Sequence, residues 1–411
     1  MMLIEEFGRR MLATVGRRLG QRANLVAYTE IVFKDQKNAV ADQPDGLLIV
    51  TSGNTQWRAL VETKVGKNEL TIVQIEKYRQ LARAHGIDAV ITISNQFAAS
   101  PQHHPLGAEL DKRLRIPVFH WSWMFVLTTA ELLASHQEIS DKNQAALLNE
   151  LRRFLSHDSS GIEGFSRMPR EWSEVVRLVS AAGSILKTSD SASAVVGAWF
   201  QETRDLSLIL TRKLDVPVSE RMSRKHHSSP EDRKKDALAV LAQNMRLQAE
   251  FVVPDAASDL TVCADLKARS ISVSMTVRAP EDRKSSKARL NWLLRQLDGQ
   301  ETSDIHVRFK WPGRSAATQK SLEQLLADPG LIDLDREHLQ VSSFDVFCLV
   351  KLGGGFAQQS KFISELETMI PRFYETIGQN LSNWRPKAPK VKSDTVTVQQ
   401  IAAEAEDESI G

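Results

Sequence analysis

Residues 59–66 read ALVETKVG, an apolar and β-branched run interrupted by two opposite charges. Its composition is that of a β-strand. Side chains alternate across a strand, so Glu62 and Lys64 project from one face while Val61, Thr63 and Val65 project from the other. Half-buried strands also carry purely structural ion pairs, so the Glu-x-Lys pair has to be judged by its neighbours.

The 411-residue chain is long enough for two or three domains with cores of their own. A hydrophobic fraction of 42%, a charged fraction of 25% and a formal net charge of +2 match an ordinary globular protein. They give no global nucleic-acid signature, and any basic surface must be local. The two cysteines, Cys263 and Cys348, are far apart and form no C-x-x-C, which indicates neither a disulfide framework nor a cysteine zinc site and fits a reducing compartment. Acids interrupt the opening MMLIEEFGRRML, and no apolar run of about 20 residues occurs. The expectation is a cytoplasmic protein with no membrane segment.

Working outward, Ile4, Phe7, Met11, Val15 and Leu19 recur at helical spacing. Strands are expected at Asn24–Phe33, Gly46–Val50 and Trp57–Val65, with the polar KDQKNAVADQ between the first two. A helix follows through TIVQIEKYRQLARAHG, with Ile72, Ile75, Tyr78, Leu81 and Ala82 on one stripe and Gly86 as its stop. DAVITIS and IPVF (Ile116–Phe119) are further strands, and WSWMFVLTTAELLA is a helix. This order predicts an α/β domain over residues 1–140, a mixed central sheet flanked by helices. Residues 141–245 read as a helical region with a basic linker, the run from Arg221 to Lys235, and Ser229-Pro230-Glu231-Asp232 is a helix start. Residues 246–384 return to strands and helices as a second α+β domain, and 385–411 read as a disordered tail.

Around Glu62 the polar residues concentrate. Pro44-Asp45-Gly46 sets a carboxylate at the mouth of the second strand, and Gln74 and Tyr78 stand at i and i+4 on the following helix. Gln74 lies within about 50° of the centre of that helix's apolar stripe and so faces the sheet. Metal-assisted phosphodiester hydrolysis needs such a set. Magnesium takes oxygen ligands, typically one or two carboxylates with waters and a phosphate oxygen; Asp45 and Glu62 are the candidate metal ligands. An ammonium such as Lys64 orients a water or stabilises charge on the phosphate.

The pattern Asp45-Gly46, Val61-Glu62-Thr63-Lys64 and Gln74-x-x-x-Tyr78 resembles the PD-(D/E)XK, or restriction-endonuclease-like, nuclease superfamily over the first 120 residues or so. The resemblance implies that fold, catalytic roles for Asp45, Glu62, Lys64 and Gln74, support from Tyr78, a Mg or Mn cofactor, and DNA as substrate. Many members add a glutamate from the first helix. Glu5, at the flank of the apolar stripe, suits that supporting role better than Glu6, which lies about 160° from its centre; Glu30 is a further candidate. The expected function is a metal-dependent deoxyribonuclease. The alternative is an inactive nuclease-fold protein that binds nucleic acid or protein. A protein partner for the second domain and a homo-oligomer stay open.

Weaker features complete the reading. His103-His104 is a candidate metal pair but also an ordinary polar loop, and His120-Trp121-Ser122-Trp123 packs a helix start. Gly353-Gly354-Gly355 lacks the Lys-Ser/Thr of a phosphate loop and reads as a turn. The basic run reads as a solvated linker or a phosphate contact.

Overall fold

Apolar residues alternate through Trp57, Ala59 and Val61 on one side and Leu60 on the other, so the strand they form must be covered on both faces. The computed structural model describes residues 1–20, 22–33, 43–332, 336 and 338–386. The KDQKNAVADQ stretch, up to residue 42, and the tail from residue 387 lie outside the described residues.

Helix α1 (Glu5–Thr14) precedes strands β1 (Asn24–Thr29), β2 (Gly46–Ser52) and β3 (Thr55–Thr63). Helix α2 (Ile72–Ala84) leads to β4 (Ala89–Ser94), β5 (Val118–Ser122), α3 (Trp123–Ser135) and α4 (Lys142–Leu155). The five strands lie in the order β1-β2-β3-β4-β5; β1 to β3 pair antiparallel, and β3, β4 and β5 pair parallel. Antiparallel neighbours close through a tight turn, at Gly53 with φ +57°, whereas the parallel β3–β4 step requires the α2 crossover. Thr71 caps α2 by accepting from the Gln74 amide, and Gly86 ends it at φ +64°.

One sheet face packs α1, α3 and α4 through Phe7, Met11, Ala59, Ile91, Trp121 and Leu148. The opposite face packs α2 through Leu60, Val90, Val118, Ile75, Tyr78 and Ala82. Each buried Val, Leu, Ile, Phe or Met among them contributes about 1.5–3 kcal/mol over leaving it in water. β5 begins at Val118 and continues through the HWS motif, so His120 is a strand residue and Ser122 caps α3.

The second unit contains α5 (Arg170–Ser180), α6 (Asp190–Leu214), β6 (Ser219–Glu220), α7 (Arg224–Ser228) and α8 (Pro230–Asn244). It continues with β7 (Arg246–Val252), β8 (Leu260–Asp265), β9 (Ser270–Arg278), α9 (Ser286–Leu294), β10 (Ile305–Lys310) and β11 (Thr318–Ser321). α10 (Leu322–Ala327), β12 (Ser343–Lys351) and α11 (Gln359–Thr376) close it. Seven strands form an antiparallel sheet in the order β11-β10-β12-β9-β8-β7-β6.

The helices of residues 141–245 do not form a layer of their own. Each has an apolar stripe that must be buried against something. Leu148 and Leu155 of α4 join the first core. Trp172, Val175 and Val179 of α5, Trp199 and Leu206 of α6 and Leu241 of α8 share the second core with Phe251, Val273 and Phe344 of the sheet. The basic run is likewise not a bare linker, since it holds α7, the start of α8 and, at its edge, β6 paired to β7. Gly353–Ala357 forms a short 3-10 turn whose Phe356 carbonyl accepts from Trp172 Nε1 (2.8 Å).

Helix α6 touches both units. Arg212 donates to Thr128 Oγ1 of α3 (2.8 Å), and further along the same helix lie Glu202 and Asp205. Glu202 is fully buried, and neither carboxyl oxygen has a hydrogen-bond partner among the described residues. Burial, then the nearby Glu367 and Asp205 carboxyls, pushes its pKa well above the usual range. The unfolded chain therefore ionises Glu202 above about pH 4.5 while the folded protein keeps it neutral, so stability is lost as pH rises above that value. Glu202→Gln, a shape mimic of the neutral acid, is expected to melt above wild type at pH 8 and level with it near pH 4.5. Each pH unit of resisted ionisation corresponds to about 1.4 kcal/mol. Equal melting curves at pH 8 would show that the carboxyl is not held neutral.

Candidate active site at the end of the first sheet

Register builds the site before any side chain is considered. β2 pairs Gly46 with Val61, and one further step of the same register sets Asp45 opposite Glu62. Opposed residues of an antiparallel pair share a face. Glu62 neighbours Thr92 on β4, and Thr92 neighbours His120 on β5. Glu62, Thr92 and His120 thus form a polar row across the face that α2 covers, and Asp45 stands at its edge with its carboxylate drawn to Thr63.

Glu62 is the buried centre, with 2% of its surface exposed. Its Oε1 accepts from Lys64 Nζ (2.5 Å) and from Gln74 Nε2 (2.7 Å). A buried carboxylate requires such donors, because desolvating an unpaired charge costs several kcal/mol. β3 ends at Thr63, yet Lys64 keeps the strand direction because its amide donates to the Ile93 carbonyl (2.8 Å). Trp123 Nε1 donates to the Lys64 carbonyl (2.8 Å), and Asn95 Nδ2 holds the following Gly66 carbonyl (3.2 Å). The ammonium therefore leaves a backbone fixed from two sides.

Gln74 Nε2 also reaches Tyr78 Oη (3.4 Å), which donates to the Gln43 carbonyl (3.2 Å). The Tyr78 phenol is pushed up to about 12, chiefly by burial, and the charges of Glu62 and Asp45 add to the shift. Asp45 is exposed, and its Oδ2 accepts from the Thr63 amide (2.6 Å) and Thr63 Oγ1 (2.7 Å). The open end of β3 supplies that amide, because no β2 residue reaches it.

The remaining sequence candidates separate. Glu5 lies on α1, across the sheet from Glu62, and its carboxylate pairs with Arg9 (2.6 Å). It is not brought to the site. Glu6 shares that helix, and Glu30 contributes its backbone amide to the Asp45 carbonyl (3.0 Å). His104 has both ring nitrogens engaged and is no free ligand. Leu106 N donates to His104 Nδ1 (3.0 Å), so His104 Nε2 carries the proton and donates to Thr92 Oγ1 (3.0 Å). Thr92 lies 2.8 Å from His120 Nδ1, and His120 Nε2 donates to the Gln96 carbonyl (2.8 Å). Burial lowers His104 to about 3, with a further contribution from His120, and lowers His120 to about 4. Both rings are neutral at pH 7.

The Thr92, His104 and His120 cluster is the part that sequence reasoning missed. Strand alternation alone puts Thr92 and His120 on the Glu62 face, and that signal is available once β4 and β5 are aligned in parallel with β3.

A hard cation takes oxygen ligands completed by water, and Glu62 and Asp45 are the two carboxylates here that would hold one. Among the described residues, no group of three or more His, Cys, Asp or Glu is placed to hold a metal ion. No helix among them is long and apolar enough to cross a membrane. No family model, no curated protein and no solved structure matches this chain.

Proposed function

We propose that the first unit is a metal-dependent phosphodiester hydrolase of the restriction-endonuclease-like, PD-(D/E)XK, class, acting on DNA with magnesium or manganese. One observation carries the reading. Lys64 and Gln74, from a strand end and a facing helix, converge on the same oxygen of buried Glu62, with Asp45 opposite it in register. A structural ion pair needs neither the glutamine nor the second carboxylate.

In this reading Asp45 and Glu62 hold the ion, which when bound acidifies water and offsets charge on the scissile phosphate. Lys64 gives its ammonium to the attacking water or the phosphate oxygens. Gln74 keeps Glu62 oriented, and Tyr78, un-ionised at any physiological pH, anchors Gln74 to the chain ahead of Asp45.

The test is incubation of the full-length protein with circular and linear DNA and RNA, with and without Mg or Mn, alongside calorimetric titration of the metal. Cleavage of DNA that requires the metal is expected, with a metal heat removed by Asp45→Ala or Glu62→Ala. Absence of both cleavage and metal heat sinks the proposal. A second reading, a binding module on the same scaffold, is favoured by the engagement of Asp45 Oδ2 with Thr63. It predicts nucleic-acid retention with no cleavage under any metal.

A further inference from the structure

Residues 159–165 read SSGIEGF and run between the two units, after α4 and ahead of α5. The two glycines mark the places where this segment meets the rest of the chain most closely. Gly161 has φ +71°, and a Cβ added there lies 3.0 Å from the Gly66 amide nitrogen and 3.4 Å from Gly66 Cα. A Cβ added at Gly164 lies 2.7 Å from Asp205 Oδ2 on α6. A residue without a side chain is what lets the backbone come that close at both points.

The first contact falls on the turn after Lys64. Gly66, at φ +62°, takes the chain out of the β3 direction and on to Thr71, the cap of α2, and Gln74. It therefore lies between the two residues whose side chains converge on Glu62 Oε1. The Gly66 amide donates to the Gly161 carbonyl (2.8 Å). Asn95, just past β4, completes the joint. Its Nδ2 donates to the carbonyls of Gly66 (3.2 Å) and Gly161 (2.8 Å), and its Oδ1 accepts from the Glu163 amide (3.3 Å). Both donors and the acceptor of one side-chain amide are thus used to tie three pieces of chain together.

The second contact belongs to the other unit. Asp205 Oδ2 accepts from the Phe165 amide (2.6 Å), and Met168, buried in the second core, donates its amide to the Gln359 carbonyl (3.3 Å). Ile162 packs against the first core. The segment is held at both ends, and a connection whose only task is to join two units needs neither joint.

We propose that residues 161–165 are a brace through which the second unit fixes Lys64 against Glu62, with Asn95, Gly161 and Asp205 as positioning residues. The catalytic meaning of the brace rests on the hydrolase reading above. Lys64 stands at a strand end, bonded to β4 through its amide, and the chain beyond it is pinned at Gly66 by the brace. Without that pin the connection from Lys64 to Thr71 is free to shift, and misplacing a reacting group by about 1 Å can cost about a hundredfold in rate.

The probe is a brief pulse of acetic anhydride on the full-length protein, with acetylated lysines quantified by mass spectrometry. An amine acylates through a free lone pair, which the Lys64 ammonium bonded to Glu62 does not offer. Measured against exposed Lys112, Lys64 is expected to label at least about fivefold faster in Asn95→Ala, Gly161→Ala and Asp205→Ala than in wild type, the scale of one lost hydrogen bond. Asp205→Asn keeps an acceptor for the Phe165 amide and should return labelling to the wild-type level. In DNA cleavage the three variants should lower kcat by about tenfold or more and change KM by less than about twofold, because the brace touches no substrate. Should Asp205→Ala fail to fold, Gly164→Ala presses on the same carboxylate from the brace. Wild-type labelling in either pair, Asn95→Ala with Gly161→Ala or Asp205→Ala with Gly164→Ala, overturns the proposal, as does a rise shared by all lysines. The two readings fail separately: faster Lys64 labelling in a protein that cleaves nothing leaves the brace standing and removes the hydrolase, and cleavage with unchanged labelling does the reverse.

Discussion

Glu62→Gln is expected to reduce metal-dependent cleavage by about three orders of magnitude, comparable to removing one pre-organised electrostatic group from a hydrolytic site, while the protein stays folded. The substitution keeps the side chain's shape and its contact with Lys64 and Gln74, and it removes only the charge a metal requires. Lys64→Ala is expected to lose cleavage to a similar extent yet retain the metal heat, because the ammonium serves water and phosphate rather than the ion. The competing explanation is an ordinary buried ion pair, and it makes a different forecast. Breaking such a pair by deleting Lys64 leaves Glu62 uncompensated at 2% exposure and costs about 3–5 kcal/mol. In a site built for a cation, added metal recovers much of that loss. Chemical denaturation of Lys64→Ala with and without Mg therefore separates the two, and a large loss that metal does not relieve assigns the pair to the scaffold.

Alternation in β3 and the helical wheel of α2 were enough to set Glu62, Lys64, Gln74 and Tyr78 on one locus, because both depend only on local periodicity. Register was also legible for Asp45, which a hairpin of known length places opposite Glu62. What local rules do not carry is which way a terminal side chain turns: the Asp45 carboxylate is drawn to the Thr63 amide left open at the strand edge. Glu5 shows the same limit. Its wheel angle tells where it sits on α1, and only packing decides that α1 lies on the far side of the sheet. The two-residue β6 exists through its pairing with β7 and has no periodicity to detect. The helices of α5 and α6 read correctly as helices, but their shared core with a sheet beginning at residue 246 is a long-range contact.

The Thr92, His104 and His120 chain, which alternation reaches only once β4 and β5 are aligned with β3, is expected to make the first unit acid-labile. Both imidazoles are neutral in the folded protein, held down to about 3 and about 4 mainly by burial, whereas the unfolded chain protonates them near 6.5. A depressed histidine pKa means that the unfolded state binds the extra proton. Stability is thus fully present above pH 6.5 and is lost as pH falls from there towards the folded values. At pH 5, 1.5 units below the unfolded pKa, each histidine accounts for about 2 kcal/mol of lost stability. The buried carboxyls Glu202, Asp205 and Glu367, all raised, work in the opposite direction over the same range, so the total slope mixes the two. A difference measurement isolates the ring. His120→Gln should be less stable than wild type at pH 7.5, having broken the chain from Thr92 to Gln96, and its deficit should shrink by about 2 kcal/mol on going to pH 5. Should that variant fail to fold, the wild-type imidazole resonances give the same information, with two expected to hold their neutral shifts down to pH 5. A deficit that does not change with pH, or rings that titrate near 6.5, would show that the chain does not keep them neutral, and the loop from Gln96 to His104 would need another anchor beside the Glu62 site.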